Sequence, residues 1–153
     1  MMKYTFAVIF AAGKGKRMNS KEKNEQVPLS KRKNKIAYEV GGKPLILHSV
    51  DILLKTGIKH IIVVLGFAKN SVIPLLPKST EIVEQRKRLG TGHALKVALK
   101  KIPHQVKYIL ALTQLIMNSN PLMARFYNAF STTVQMINVD AHFTRVLMEV
   151  IHF

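Results

Sequence analysis

Tyr4-Thr5-Phe6-Ala7-Val8-Ile9-Phe10 runs directly into Ala11-Ala12-Gly13-Lys14-Gly15-Lys16-Arg17-Met18, and the reading of this stretch decides the fold. Residues 4–10 are continuously apolar and rich in β-formers, the pattern of a strand buried on both faces of a parallel sheet. The two glycines that follow permit a tight turn and a close approach of backbone to a ligand. Backbone N–H groups and three cations thereby gather at the carboxyl end of a strand, where open α/β sheets take their ligands. A polyphosphate suits that place. The loop does not match G-x-x-x-x-G-K-[ST] and lacks the third glycine of a dinucleotide fingerprint, so it is neither an ordinary P-loop nor a dinucleotide site. By itself the Gly-x-Gly fits a bare turn with solvated lysines equally well.

Outward from this stretch, strands and helices alternate. Residues 19–35 are crowded with charge and amide groups around Val27-Pro28-Leu29 and read as a solvated loop. Pro44 near a first helical turn and Gly57 at a stop position bound a helix, with Ile46, Val50, Leu53 and Leu54 as its buried stripe. Asp51 falls on the solvent side of that helix. Further strands are expected over 60–65, 81–84 and 108–112, a short helix over 70–76, and a helix over 94–101 entered from Leu89-Gly90-Thr91-Gly92-His93. This alternation predicts a doubly wound α/β fold with a mainly parallel sheet. After Leu112 the pattern weakens to a helix over 121–130 and strands over 134–139 and 143–151.

Composition narrows the function. At 153 residues and 48% apolar the chain has the size of one domain with one core. It contains no apolar run of about 18 residues and no secretory leader pattern, which argues against a membrane partner. With no cysteine there is no thiolate nucleophile and no thiolate metal site, which agrees with a cytoplasmic location. The net charge of +16 raises nucleic-acid binding, but no aromatics interleave the basic run to stack on bases, so that partner has low weight. Residues 1–107 hold 22 of the 24 Lys and Arg and six of the eight acids, while Met117, Met123, Met136 and Met148 fall in the later segment. The expected division is therefore a nucleotide-binding domain over 1–112 and an atypical tail over 113–153.

The opening loop, Asn34-Lys35-Ile36, Gly42-Lys43-Pro44-Leu45, Gln85 and Leu89-Gly90-Thr91-Gly92-His93-Ala94 together resemble the nucleotide-binding half of the sugar-phosphate nucleotidyltransferases. The likeness is to the N-acetylglucosamine-1-phosphate uridyltransferase branch and covers about residues 5–112. It implies a Rossmann-like fold and a magnesium-dependent attack by a sugar-1-phosphate oxygen on the α-phosphate of UTP or another nucleoside triphosphate, releasing pyrophosphate. That chemistry rests on positioning and charge neutralisation. The resemblance sets Ala11, Ala12 and Gly13 against the nucleoside, counts Gly15 among the nucleotide-binding residues, and sets Arg17 on the triphosphate, an apt residue because its planar fork binds phosphate oxygens bidentately. It sets Lys35 facing the α-phosphate, and Gln85, Gly90 and Thr91 on the uracil edge. His93 reads instead as a helix-start histidine satisfied by local backbone, and His48 and His60 as structural.

The chain departs from the pattern at several points. Lys16 stands for the usual Thr before Arg17, Asn34 for the usual Pro before Lys35, and Arg88 for a second Gln. After the strand over 108–112 the resemblance expects a Gly-Asp pair whose carboxylate binds magnesium, and this chain has Thr113-Gln114-Leu115. An amide supplies no charge to a hard cation. The fold is accordingly expected to be incomplete at its carboxyl end, through a changed reading frame or truncation, or through divergence into a short form. Three functions follow: an impaired uridyltransferase-like enzyme, a non-catalytic nucleotide or phosphate module, and, at low weight, an RNA binder.

Overall fold

A computed structural model of the chain describes residues 5–13, 33–87, 89–116 and 130–138. The elements are β1 (Thr5–Ala11), β2 (Glu39–Val40), β3 (Lys43–Pro44), α1 (Leu45–Lys55), β4 (His60–Leu65), β5 (Thr80–Glu84), α2 (Gly90–Leu99), β6 (Tyr108–Ile116) and β7 (Phe130–Asn138). Single 3-10 turns lie at Lys35–Ala37, Lys69–Ser71 and Ile73–Leu75. The main sheet has the order β5-β4-β1-β6-β7. Its first four strands are parallel and β7 closes the edge antiparallel to β6. β1 is central, with Ile9 opposite Val63 on one side and Leu112 on the other. This is the doubly wound α/β arrangement that the alternation of runs requires.

Both faces of β1 are covered, which is why its sequence is apolar without alternation. Ala7, Ile9 and Ala11 pack with Ile46, Val50 and Leu53 of α1 on one face. Val8 packs with Ala94, Leu95 and Ala98 of α2 on the other. At the carboxyl ends of the parallel strands, the order of connection reverses about β1, and such a reversal leaves a crevice between neighbouring loops.

Helix α1 has the expected bounds. Gly57, at φ +84°, follows its end, and the amides of Thr56, Gly57 and Ile58 return to the carbonyls of Ile52, Leu54 and Leu53. Its buried face differs from the expected stripe. Leu45, Ile46, Ser49, Val50 and Leu53 are buried, whereas Leu54 is 42% exposed. The buried face is thus centred on the side that carries Ser49, and Leu54 lies at its outer edge. Exchange of Leu54 for Glu is therefore expected to change stability by less than about 0.5 kcal/mol in urea unfolding. Asp51 faces solvent as expected. Lys43 pairs with it, and the hydrogen bond between them holds its carboxyl below the ordinary range.

Other differences have local causes. The stretch 70–76 forms two 3-10 turns in place of one helix, because Pro74 supplies no amide hydrogen and Ala68 enters with φ +50°. Helix α2 begins at Gly90, four residues before the expected start. β6 continues to Ile116 because β7 pairs with it along nine positions. The β2–β3 hairpin was not expected; Gly41 and Gly42 turn it at φ +61° and +76°. His60 stacks on Phe6 at 4.6 Å, and His48 Nε2 lies 2.9 Å from the Val40 carbonyl, so both have structural partners. The expected loop over 19–35 is described only from residue 33, and the elements expected over 121–130 and 143–151 fall outside the described residues but for Phe130. Among the described residues, no helix is long and apolar enough to cross a membrane.

Candidate functional site

Asn34 ties together the loops at the carboxyl ends of β1 and β4. It is wholly buried. Its Nδ2 donates to the carbonyls of Ala11 at 2.8 Å and Phe67 at 2.7 Å. Its Oδ1 accepts from the amide of Ile36 at 3.2 Å, capping the turn Lys35–Ala37, and its own amide donates to Ser71 Oγ at 2.9 Å. A proline at this position has neither the amide hydrogen nor the side-chain donors. The departure at Asn34 is thus a structural device of this chain, and it sets Lys35 beside the exit of β1.

Gly66 brings the two exits into contact. A Cβ on Gly66 lies 3.0 Å from both Cβ and the carbonyl oxygen of Ala12, so any larger residue requires Ala12 to give by a few tenths of an ångström. The amide of Phe67 then donates to the Ala12 carbonyl at 3.4 Å.

Gln85 forms the opposite wall. Its amide donates to the Leu65 carbonyl at 2.7 Å, extending the β4–β5 ladder by one residue. Its side chain turns toward α2, with Nε2 3.0 Å from the Gly90 carbonyl and 3.0 Å from His93 Nδ1. Gly90 has φ +88°, which suits glycine alone, and no side chain caps the start of α2. His93 therefore bonds to a side chain rather than to local backbone, a correction of the expectation.

Between these walls lies a cleft of about 860 Å³. Ala12, Gly13 and Lys35 line one side, and Gln85, Gly90 and Thr91 the other. Six of the nine residues singled out in the sequence therefore share one space. Ala11 lies beneath it, fully buried, with its carbonyl taken by Asn34. Gly15 and Arg17, together with Arg88, lie outside the described residues. Arg86 and Lys87, which sequence reasoning overlooked, also line the cleft, as do Leu89 of the quoted motif and Thr113, where the Gly-Asp pair is expected. Their place just beyond or near the ends of strands was the available signal. Leu89 is 68% exposed and presents an apolar surface at the rim.

The described lining carries the cations Lys35, Arg86 and Lys87 and no carboxylate. Among the described residues, no group of three or more His, Asp or Glu could hold a metal ion. Thr113 lines the cleft from the end of β6, where the resemblance expects the Gly-Asp pair, and a neutral hydroxyl among cations does not fit a magnesium site, which needs anionic oxygen. Just outside the cleft, Glu84 pairs with Lys69 at 2.8 Å, and that bond holds its carboxyl below the ordinary range. A carboxyl pKa lowered by folding stabilises the native state above its unfolded pKa, and the contribution disappears as pH falls through the folded value. Glu84→Gln is accordingly expected to lower the melting temperature slightly at pH 7, with the difference from the parent closing as pH falls through and below the ordinary carboxylate range.

The sequence model of the MobA-like NTP transferase domain matches residues 7–145. The bifunctional protein GlmU of Heliobacterium modesticaldum is 36% identical over 106 residues, which are 69% of this chain and 21% of that protein. GlmU of Exiguobacterium sibiricum is 41% identical over 93 residues, 61% of this chain and 18% of that protein. The chain thus spans about a fifth of the length of these relatives. Among solved structures, HddC of Yersinia pseudotuberculosis, complexed with GMP-PN, shares the fold. Its TM-score is 0.55 at 23% identity, over 72% of this chain and 47% of that one. With the parallel sheet, the glycine-bearing exit of β1 and the family match over most of its length, the chain belongs to the MobA-like NTP transferase domain family.

Proposed function

We propose that the cleft binds UTP or a related nucleoside triphosphate, with the base against Gln85, Gly90 and Thr91 and the phosphates toward Gly13 and Lys35. The observation that carries this reading is the meeting of a glycine-bearing strand exit, a buried amide side chain and an uncapped helix start on one cleft. Leu89 offers the base an apolar neighbour. Lys35, Arg86 and Lys87 offset phosphate charge, and Arg17 of the opening loop is assigned to the β- and γ-phosphates.

The reaction proposed for a complete protein of this kind joins the phosphate oxygen of a sugar-1-phosphate, N-acetylglucosamine-1-phosphate by resemblance, to the α-phosphorus of UTP. The bond to the bridging oxygen breaks, and pyrophosphate leaves with that electron pair. In that step the residues of this chain orient the nucleotide and neutralise its charge. The described lining of the cleft offers magnesium no anionic side-chain oxygen. That mismatch favours a second reading, a cytoplasmic module that holds nucleotide without turnover. Nucleotide binding is assigned to residues 1–112, while β6 runs across residue 112 and pairs with β7, so the segment after it joins the same sheet.

Thermal unfolding tests binding. At a hundredfold excess over Kd, UTP is expected to raise the melting temperature by about 5–10 °C, and Lys35→Met to reduce that rise. No shift with any nucleoside triphosphate contradicts the proposal. Pyrophosphate release from UTP, N-acetylglucosamine-1-phosphate and magnesium separates the enzyme from the module.

A further inference from the structure

We infer that His93 is a positioning residue that fixes the amide of Gln85 so that the cleft accepts a ring N–H from the base and disfavours a bare ring nitrogen. The inference rests on the reading of the cleft as a nucleotide site. It begins with atoms whose roles are not open to choice. A carbonyl oxygen can only accept, so the Gln85 atom 3.0 Å from the Gly90 carbonyl is the amide nitrogen Nε2. That nitrogen carries two protons, and its second neighbour is His93 Nδ1, at 3.0 Å. An amide N–H facing a ring nitrogen requires a lone pair there, so the imidazole is the neutral tautomer with its proton on Nε2.

Both amide protons are then committed inward. Oε1 is left, an acceptor with no hydrogen-bond partner among the described residues, on a side chain whose residue is only 4% exposed and lines the cleft. A buried acceptor without a donor is unfavourable until a ligand supplies one. Neither tether is loose. Gln85 is held through its own amide on Leu65, and His93 sits on the first turns of α2, whose start is fixed by Gly90.

The ligand class follows from donor and acceptor patterns. Uracil and thymine carry N3–H, and guanine carries N1–H, each able to donate to Oε1. Cytosine N3 and adenine N1 are lone pairs that meet Oε1 with repulsion, and the neighbouring amino groups of these bases donate to it only with the ring displaced along the edge. UTP and CTP form the sharpest pair, because they are nearly the same shape and differ at this edge. A site built to accept a proton discriminates against the partner that lacks it more strongly than one that selects on shape.

Two measurements test the assignment on the full chain. Nitrogen-15 NMR of the histidine rings at mildly alkaline pH, with His93→Leu identifying the resonance, is expected to show the Nε2–H tautomer for His93. The Nδ1–H tautomer overturns the inference. In calorimetry the parent is expected to bind UTP at least about tenfold more tightly than CTP. His93→Leu leaves one amide proton unpaired and the amide freer to turn, so the ratio is expected to fall to within about threefold, with affinity for inorganic triphosphate unchanged. His93→Asn keeps an acceptor in the δ position and is expected to restore the ratio. An unchanged ratio in His93→Leu, or equal binding of UTP and CTP by the parent, overturns this inference alone. A parent that binds neither nucleotide overturns the nucleotide reading and this inference with it.

Discussion

Asn34→Ala lowers the melting temperature by about 5–12 °C, equivalent to a loss of about 2–4 kcal/mol. The magnitude follows from burial. Asn34 has no exposed surface, and its side chain supplies the donors on the carbonyls of Ala11 and Phe67 and the acceptor for Ile36. Alanine leaves two carbonyl oxygens and one amide without these partners in a place closed to bulk solvent, and each such group costs about 1–3 kcal/mol before relaxation. Asn34→Asp keeps the shape and the cap but sets carboxylate oxygen against both carbonyls, so it is expected to be at least as damaging. Asn34→Pro, which installs the residue usual in the resembling family, also removes the bond from the Asn34 amide to Ser71 Oγ and is expected to destabilise rather than restore. Calorimetric unfolding of the three variants checks this order. A loss below about 0.5 kcal/mol for the alanine variant shows that the two strand exits are held by something else.

Gly66→Val has the second large effect. The added Cβ stands 3.0 Å from the Cβ and carbonyl oxygen of Ala12, and the methyls beyond it need further room. Gly66 is not among the glycines with positive φ, so the penalty is one of space alone. Backbone cannot give as a side-chain tip does. Overpacking of this kind costs about 1–3 kcal/mol, and it separates β1 from β4 where Ala12 and Gly13 form one wall of the cleft. A drop of about 3–9 °C in melting temperature is expected, together with weaker nucleotide binding by the fraction that remains folded. Retained affinity in a destabilised Gly66→Val means that this wall does not touch the ligand.

What the sequence made legible depends on how local the cause is. β4 coincides with its apolar run because the strand is covered on both faces, and α1 is bounded by Pro44 and Gly57, each acting within a residue or two. The start of α2 was set too late because Gly90-Thr91-Gly92 reads as a loop by propensity. A first turn tolerates glycine there, and Gly90 serves as the entry to the helix. The full length of β6 was hidden because it depends on pairing with β7, a partner supplied by tertiary structure. In the cleft, Gln85, Gly90 and Thr91 were legible through the resemblance. The roles of Asn34 and His93 were not. Asn34 reaches carbonyls 23 and 33 residues away, and His93 meets Gln85 across the turn into α2, separations that no periodicity marks.

The most direct test is a titration of nitrogen-15-labelled protein with UTP, followed through the backbone amides. Saturable shifts concentrated at Gly13, Gln85, Gly90 and Thr91, with those of Glu39, Val40 and the β7 strand unmoved, are the predicted result. Shifts that never saturate, or that gather on the β2–β3 hairpin or along β7 while the cleft amides stay still, contradict a nucleotide site at the strand exits.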